Sequence, residues 1–241
     1  MSGAGVERGI EAAAAAALEL VSDGATVGLG TGKAASVFIA LLGARVRDGL
    51  RASGVATSAD SARLASGAGI PLIDLGEELE LDLTVDGADE VAPNLDLIKG
   101  WGGALVRERI VAAASRRQVI IVGAGKLVQR LGERGRIPVE VIPLAEGLVR
   151  RRLKALAQVP SLRGAPDGAG PFHTENGNLI LDCAPAEPLA TPALARTLEA
   201  EILRIPGVVD TGLFLGTAER VLVGTGDGGV DVRLRSSSPH G

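Results

Sequence analysis

The sequence predicts an α/β protein: a mostly parallel sheet with helices on both faces, and a smaller α+β domain inserted before the last strands. Two observations predict it. Through the first half, short β-branched runs alternate with helical stretches, the pattern of parallel strands joined by crossover helices. After about Arg134 the order becomes strand, helix, two strands around a tight turn, and helix, a split-βαβ arrangement of the ferredoxin-like kind. The expected division is a larger domain of residues 1–134 and 208–241 and a smaller one of 135–207, with a structureless tail at 235–241.

The elements are justified in chain order. "VERGIEAAAAAALELVSDG" consists of strong helix formers and stops at Asp23-Gly24, a helix-end signal. "ATVGLG" is a short buried strand running into a glycine turn, and "KAASVFIALLGARVRDG" has helical periodicity after it. "GVATS" leads into the helical "ADSARLASGAG" and then "IPLIDL"; "LDLTV" leads into "DGADEV". "GALVRERIVAAAS" is helical and "QVIIVGAG" is strand and turn. In the smaller domain come the strand "RIPVEVIP", the helix "LAEGLVRRRLKALAQV", a hairpin "FHTENGNLILDCAP" turning at Asn176-Gly177, and the helix "TPALARTLEAEILRIPG". "VVDTGLFLG", "ERVLVGTG" and "GGVDVRL" are strands expected to return to the first sheet.

Composition excludes several functions. There are 25 basic and 29 acidic residues, a net charge of −4, with no Tyr, one Trp and three Phe. Neither a basic surface nor a stacking platform for bases is present, so nucleic-acid binding is not expected. The single cysteine, Cys183, rules out a disulfide within the chain and reads as a small buried apolar residue. Two histidines, His173 and the tail's His240, leave no material for a His-based metal site or a Ser-His-Asp triad. No leader peptide is recognisable at "MSGAGVERGI", and no run reaches the roughly 18 apolar residues of a membrane span. A cytoplasmic protein is expected.

The stretch "VGLGTGKAAS" matches no phosphate-binding signature in full. For a P-loop, Val27 stands where the first glycine belongs and Ala34 where the metal-binding hydroxyl belongs. For a dinucleotide fingerprint, Gly28 and Gly30 fit but Lys33 takes the third glycine's place. What survives is a strand, a glycine turn and a helix start, whose backbone N–H groups favour an anion. A plain tight connection is the competing reading, and Lys33 is either a phosphate contact or a solvated lysine.

The segment 81–113 carries more chemistry. Asp86 and Asp89 follow an apolar strand at its carboxyl end, where open α/β sheets place ligands. Lys99 lies in the turn "KGWGG", and Glu108 follows on a helix. Together they supply a base, proton shuttles and an oxyanion partner for moving a proton beside a carbonyl without metal or cofactor. Read singly, Asp86 is a turn residue, Lys99 a solvated loop charge, and Glu108 part of an exposed face with Arg107 and Arg109. The clustering favours chemistry. Ser58 and Asp60, after the second strand, are further candidates for contact with a substrate, and Glu140 in "PVEV" reads as structural.

Seven ordered segments, "GLGTG", "DGADE", "LIKGWGGALVRE", "GKLVQRLG", "PVEVIP", "TENGNLILD" and "IPGVVDTGLF", make the chain resemble ribose-5-phosphate isomerases of the A type over nearly its whole length. The resemblance implies a Rossmann-like domain with a smaller α+β domain inserted, no metal and no cofactor, and a homodimer or homotetramer acting in the pentose phosphate pathway. It implies that Glu108 is the general base, Lys99 with the glycine-turn amides the enediolate stabiliser, Asp86 a proton shuttle, and Asp89 an aid to ring opening. Thr31, Gly32, Lys33 and Ala34 fall on the phosphate and substrate turn. Asp86, Gly87, Ala88, Asp89, Lys99, Gly100, Trp101, Gly102 and Lys126 fall on further substrate contacts. A base of this kind would benefit from partial burial.

Departures from the family pattern are Lys33 and Ala34 for the usual Ser and Thr, Trp101 for a smaller residue, and Gly123 and Gly125 before Lys126. Trp101 is expected to narrow the pocket or form its lid. Two rivals stand beside the isomerase. One is a sugar-phosphate sensor on the same fold, which has no use for a base at Glu108. The other is an acyl-CoA-handling relative, which the "DGADE" and "KGWGG" pair does not suit.

Overall fold

A computed structural model describes residues 3–77 and 79–235. The expected tail lies outside the described residues except for Arg235. The helices are α1 (Gly3–Leu18), α2 (Lys33–Arg47), α3 (Ala59–Gly67), α4 (Leu105–Ala113), α5 (Glu146–Ala155) and α6 (Pro192–Leu203). The strands are β1 (Ala25–Leu29), β2 (Ala52–Ala56), β3 (Leu83–Asp86), β4 (Glu90–Val91), β5 (Leu97–Ile98), β6 (Gln118–Gly123), β7 (Ile137–Val141), β8 (Gln158–Leu162), β9 (Leu179–Pro185), β10 (Val208–Thr211), β11 (Leu213–Phe214), β12 (Arg220–Gly224) and β13 (Val230–Leu234). The chain divides into two compact units: residues 1–87, 110–126 and 216–241, and residues 88–109 and 127–215.

The first unit holds a six-stranded sheet of order β13-β12-β6-β3-β1-β2. Every pairing is parallel except the edge hairpin β12–β13. Central strands buried on both faces read as near-continuous apolar runs, as "QVIIV" does. On one face Val27, Leu29, Val85, Val119 and Ile121 pack with Ala13, Ala14 and Ala17 of α1 and Phe38, Ile39 and Leu42 of α2. Alanines on α1 let the helix lie close to the strands. On the other face Val111 of α4 sits over Gly28 and Thr84. Among the described residues no helix is long and apolar enough to cross a membrane.

The second unit contains a four-stranded antiparallel sheet, β10-β7-β9-β8, and a three-stranded one, β11-β5-β4. Its core is built from Ile137, Val139, Val141, Leu181 and Cys183 on strands, with Val149 and Leu153 of α5 and Ala195 and Ile202 of α6. The β-α-β-β-α order is the expected one, but β9 pairs with β8 and β7 and not with the first arm of the expected hairpin, which meets it only in an isolated bridge between His173 and Leu179. The hairpin turn at Asn176-Gly177 is closed by Thr174 N–H on the Asn178 carbonyl (2.9 Å), with Gly177 at φ 78°.

Two expectations are corrected. The segment "VVDTGLFLG" does not join the first sheet: β10 pairs with β7 and β11 with β5. Short apolar runs carry no information about their partners, and only β12 and β13 return. The fifth helix also stops at Ala155, because Ala157 takes a positive φ of 56° and Gln158 begins β8.

Cys183 is fully buried, and burial pushes its thiol up to about 12. A thiolate is the reactive form. A thiol reagent at pH 8 is therefore expected to leave the native protein unlabelled and to label one site per chain in denaturant. Mass spectrometry before and after unfolding checks this.

Candidate active site

In the first unit, Asp86 closes β3 beside the glycine turn that follows β1. Its buried carboxylate accepts hydrogen bonds through Oδ1 from Thr31 N–H (3.1 Å) and Gly87 N–H (2.7 Å). Gly30 is obligatory here, since a Cβ at that position would lie 2.2 Å from Asp86 Oδ1. Thr31 Oγ1 lies 2.7 Å from Thr57 Oγ1 and donates to Ser58 Oγ (2.9 Å). Ser58 also caps α3 by accepting from Ser61 N–H (3.1 Å), and Ser61 donates to the Gly30 carbonyl (2.6 Å). The hydroxyl of Ser58 is thus part of the turn's framework, and exposed Asp60 pairs with Arg63.

Gly32, at φ 98°, leads into α2 without a side-chain cap. The first N–H groups of the helix have no earlier carbonyl to meet, and they carry the positive end of its dipole. Lys33 is exposed and donates to Glu7 of α1 (2.9 Å). Ala34 packs its methyl against the first unit's core. Lys126 closes the short 3-10 turn after β6 and is half-buried.

In the second unit the decisive feature is an ion pair. Lys99 Nζ lies 3.3 Å from Glu108 Oε2, with the two side chains only 2% and 6% exposed. The lysine ammonium also sits 5.6 Å from the centre of the buried Phe214 ring, an attractive placement for a cation. Lys99 N–H donates to the Gly212 carbonyl (2.9 Å). A Cβ on residue 212 would stand 2.3 Å from the Lys99 carbonyl oxygen, so only glycine allows this approach. Asp89 is tied to the same turn: its N–H donates to Ile98, and its Oδ2 accepts from Trp101 N–H (2.9 Å). Trp101 itself is a correction. Its indole N–H donates to the Arg136 carbonyl (3.1 Å), and its ring packs against the second core with the Arg136 guanidinium 4.8 Å away. The ring fastens the turn to that core and does not form a lid.

Helix α4 holds buried Glu108 between two anchored arginines, so the competing reading of an exposed Glu-Arg face does not apply. Arg107 grips the hairpin through Glu175 (2.6 Å) and Asn176 (3.0 Å). Arg109 donates to the carbonyls of Thr211 (2.8 Å) and Leu213 (2.7 Å), and pairs with Asp210 and Glu199. Burial pushes the carboxyls of Asp210 and Glu199 up, against the pull of Arg109. Glu140 is fully buried and holds the hairpin through Oε1, which accepts from Thr174 (3.0 Å), Asn176 (3.0 Å) and Asn178 (2.8 Å). Sequence reasoning missed Gly212, Phe214 and the hydroxyls of Thr57 and Ser61 that join Ser58 around Thr31. The motif "IPGVVDTGLF" was the only signal for the first two. Among the described residues there is no group of three or more His, Cys, Asp or Glu that could hold a metal ion.

A glycine turn opening a helix, and a buried carboxylate paired with an ammonium beside a second glycine turn, are the parts of a proton-transferring α/β enzyme. The model of one family, ribose 5-phosphate isomerase A (phosphoriboisomerase A), matches residues 53–228. A ribose-5-phosphate isomerase A of Gloeobacter violaceus is 50% identical over 95% of this chain and 97% of its own. That of a Roseiflexus species is 48% identical over 93% and 95%. Among solved structures, ribose 5-phosphate isomerase A of Methanocaldococcus jannaschii superposes with a TM-score of 0.87 at 40% identity, covering 95% of this chain and 98% of that one. A D-ribose-5-phosphate isomerase in complex with phospho-erythronic acid gives 0.90 at 37% identity, covering 95% and 99%. The chain belongs to the ribose 5-phosphate isomerase A family.

The packing around Asp86 makes a direct prediction. Gly30→Ala forces a methyl onto the Asp86 carboxylate and is expected to lower stability by about 1–3 kcal/mol. Gly125→Ala, whose Cβ would meet nothing within 4 Å, is expected to change it by less than about 0.5 kcal/mol. Urea denaturation of both variants checks the contrast.

Proposed function

We propose that the chain interconverts D-ribose 5-phosphate and D-ribulose 5-phosphate through an enediolate, with Glu108 as the base. The observation that carries this reading is the buried Lys99–Glu108 pair, 3.3 Å apart. Glu108 takes the proton from C2 of the open-chain aldose. The electrons of that C–H bond form the C1–C2 double bond, and the carbonyl oxygen at C1 becomes anionic. Lys99 and the Gly102 N–H of the Gly100–Gly103 turn stabilise that oxygen, as donors aimed at developing charge do. Glu108 then returns the proton to C1 while the hydroxyl at C2 becomes the new carbonyl. Asp86 carries a proton between the two oxygens, so no net proton is gained or lost.

The remaining assignments follow the same reading. The turn Thr31–Ala34 takes the 5-phosphate on the amide groups at the start of α2. Lys33 adds a cation there, which it now shares with Glu7. Lys126 contributes a second positive charge. Gly87, Ala88, Asp89, Trp101 and Gly102 border the sugar through their backbone, with Asp89 assisting ring opening. A phosphorylated sugar substrate implies a cytoplasmic enzyme, and the family resemblance implies assembly as a homodimer or homotetramer. A sugar-phosphate sensor would bind the same ligand without turnover, and no buried base would be needed for it.

Kinetics test this. Glu108→Gln keeps the shape and removes the base, so kcat for ribose 5-phosphate is expected to fall by about 10²–10⁴. Wild-type turnover in Glu108→Gln would refute the assignment. Lys33→Ala is expected to raise KM several-fold with kcat unchanged, the signature of lost uniform binding. Steady-state assays at fixed ionic strength separate the two effects.

A further inference from the structure

Arg163, the residue after β8, stands 55 residues past Glu108 in sequence and carries none of the assigned roles, yet its guanidinium lands on the glycine turn that follows Lys99. Its Nη1 donates to the carbonyls of both Gly100 and Trp101, each at 3.1 Å. The other edge of the fork is occupied by Asp182, which accepts from Nε at 2.9 Å and from Nη2. Both side chains are about nine-tenths buried. Asp182 also pairs with Arg136 (3.6 Å), whose guanidinium covers the Trp101 ring. Phe172 lies beside Arg163 and packs on Gly103, where its ring would be 2.5 Å from an added Cβ. One carboxylate therefore fixes two arginines, and both bear on the same four-residue turn.

The consequence follows from the planarity of the peptide unit. In a trans peptide the carbonyl of one residue and the N–H of the next point in opposite directions. With the Gly100 carbonyl on Arg163, the Trp101 N–H faces away and meets Asp89 Oδ2 at 2.9 Å. By the same rule, with the Trp101 carbonyl on Arg163, the Gly102 N–H is also directed away from Arg163. Exposed Gly102 has open space where a side chain would stand. Gly100 and Gly103 have φ values of 97° and 90°; the turn's own bond, from Gly103 N–H to the Gly100 carbonyl (3.0 Å), does not reach the Trp101–Gly102 peptide, whose direction is set by Arg163.

We propose that Arg163, held by Asp182, is a positioning residue for the isomerisation. It sets the direction of the peptide dipoles in the Gly100–Gly103 turn, and with them the donors that face the enediolate oxygen. The inference rests on the reading of this turn as the enediolate stabiliser. It adds a specific cause for the turn's orientation, supplied from the antiparallel sheet. Only a planar fork can hold a carboxylate on one edge and two carbonyls on the other. Lysine, a point charge, cannot.

The test compares Arg163→Lys and Asp182→Asn with the wild type. Phospho-erythronic acid is the probe of enediolate stabilisation, because its carboxylate places an anion at the end away from the phosphate. Erythritol 4-phosphate lacks that anion and is the control. Misdirected donors are expected to lower kcat by about 10- to 100-fold, with KM within about threefold. Phospho-erythronic acid is expected to bind more weakly by a similar factor, and erythritol 4-phosphate to bind as before. Equal weakening of both ligands would mean a merely structural role and overturn the proposal, as would unchanged kcat in a folded variant. If Arg163→Lys does not fold, Asp182→Asn, which leaves the guanidinium in place, is read by the same criteria. Glu108→Gln is assayed alongside. Full activity in that variant would overturn the reading of the site itself. Its inactivity beside a fully active Arg163→Lys would overturn only the positioning role.

Discussion

Two opposite charges removed from water, Lys99 and Glu108, are the constraint around which the second unit is organised. Burying either one alone is prohibitive, and removing one partner of such a pair typically costs about 3–5 kcal/mol. The pair therefore needs close and complete packing. Phe214 faces the ammonium, and Gly212 lets two backbone segments approach to where its own N–H and carbonyl can serve Pro138 and Lys99. Arg107 and Arg109 tie the helix carrying Glu108 to segments 68 to 104 residues away in sequence. The same desolvation that makes the pair expensive strengthens its field on any anion forming beside it.

In the first unit the constraint is different. The phosphate contact proposed for the amides at the start of α2 needs a turn held rigidly. Asp86 and the Thr31 hydroxyl network do this from beneath. The carboxylate accepts from one amide of that turn, Thr31 N–H, and from its own neighbour Gly87 N–H, and three side-chain hydroxyls close on Thr31 and on the Gly30 carbonyl. The loss of side-chain hydroxyls at positions 33 and 34 is compatible with this design, because the groups fixing the turn are not on the turn's far side. Lys33 and Glu7 form an exposed ion pair, and exposed pairs of this kind contribute little to stability.

Much of this was legible in the sequence, and the limits were physical. The strand–glycine–helix rhythm revealed the parallel sheet because local chain composition sets that alternation. Asp86, Asp89, Lys99 and Glu108 stood out as candidates because one short stretch carries them all. Sheet membership of β10 and β11 was not legible, since a two- to four-residue apolar run fits any edge. Arg163 and Asp182 were silent for another reason: a charged residue on a strand, as Asp182 is, or just past one, as Arg163 is, reads as solvent-facing until the partner strand is known. Trp101 misled because an aromatic ring in a glycine turn suggests a cover, whereas its N–H and face were used to anchor the turn. The hydroxyl of Ser58 was read without its framework partner Thr31, which lies on another segment.

The most direct measurement is solvent hydrogen exchange during isomerisation. Ribose 5-phosphate is incubated with enzyme in D₂O, and deuterium at C2 of the aldose and C1 of the ketose is followed by NMR, for the wild type and Glu108→Gln. A single carboxylate relaying the proton through an enediolate predicts deuterium at these carbons in the wild type, together with ketose formation. In the variant both are expected to be lost while phospho-erythronic acid still binds. Continued exchange at the wild-type rate in Glu108→Gln would contradict the account, because the proton would then be moved by some other group.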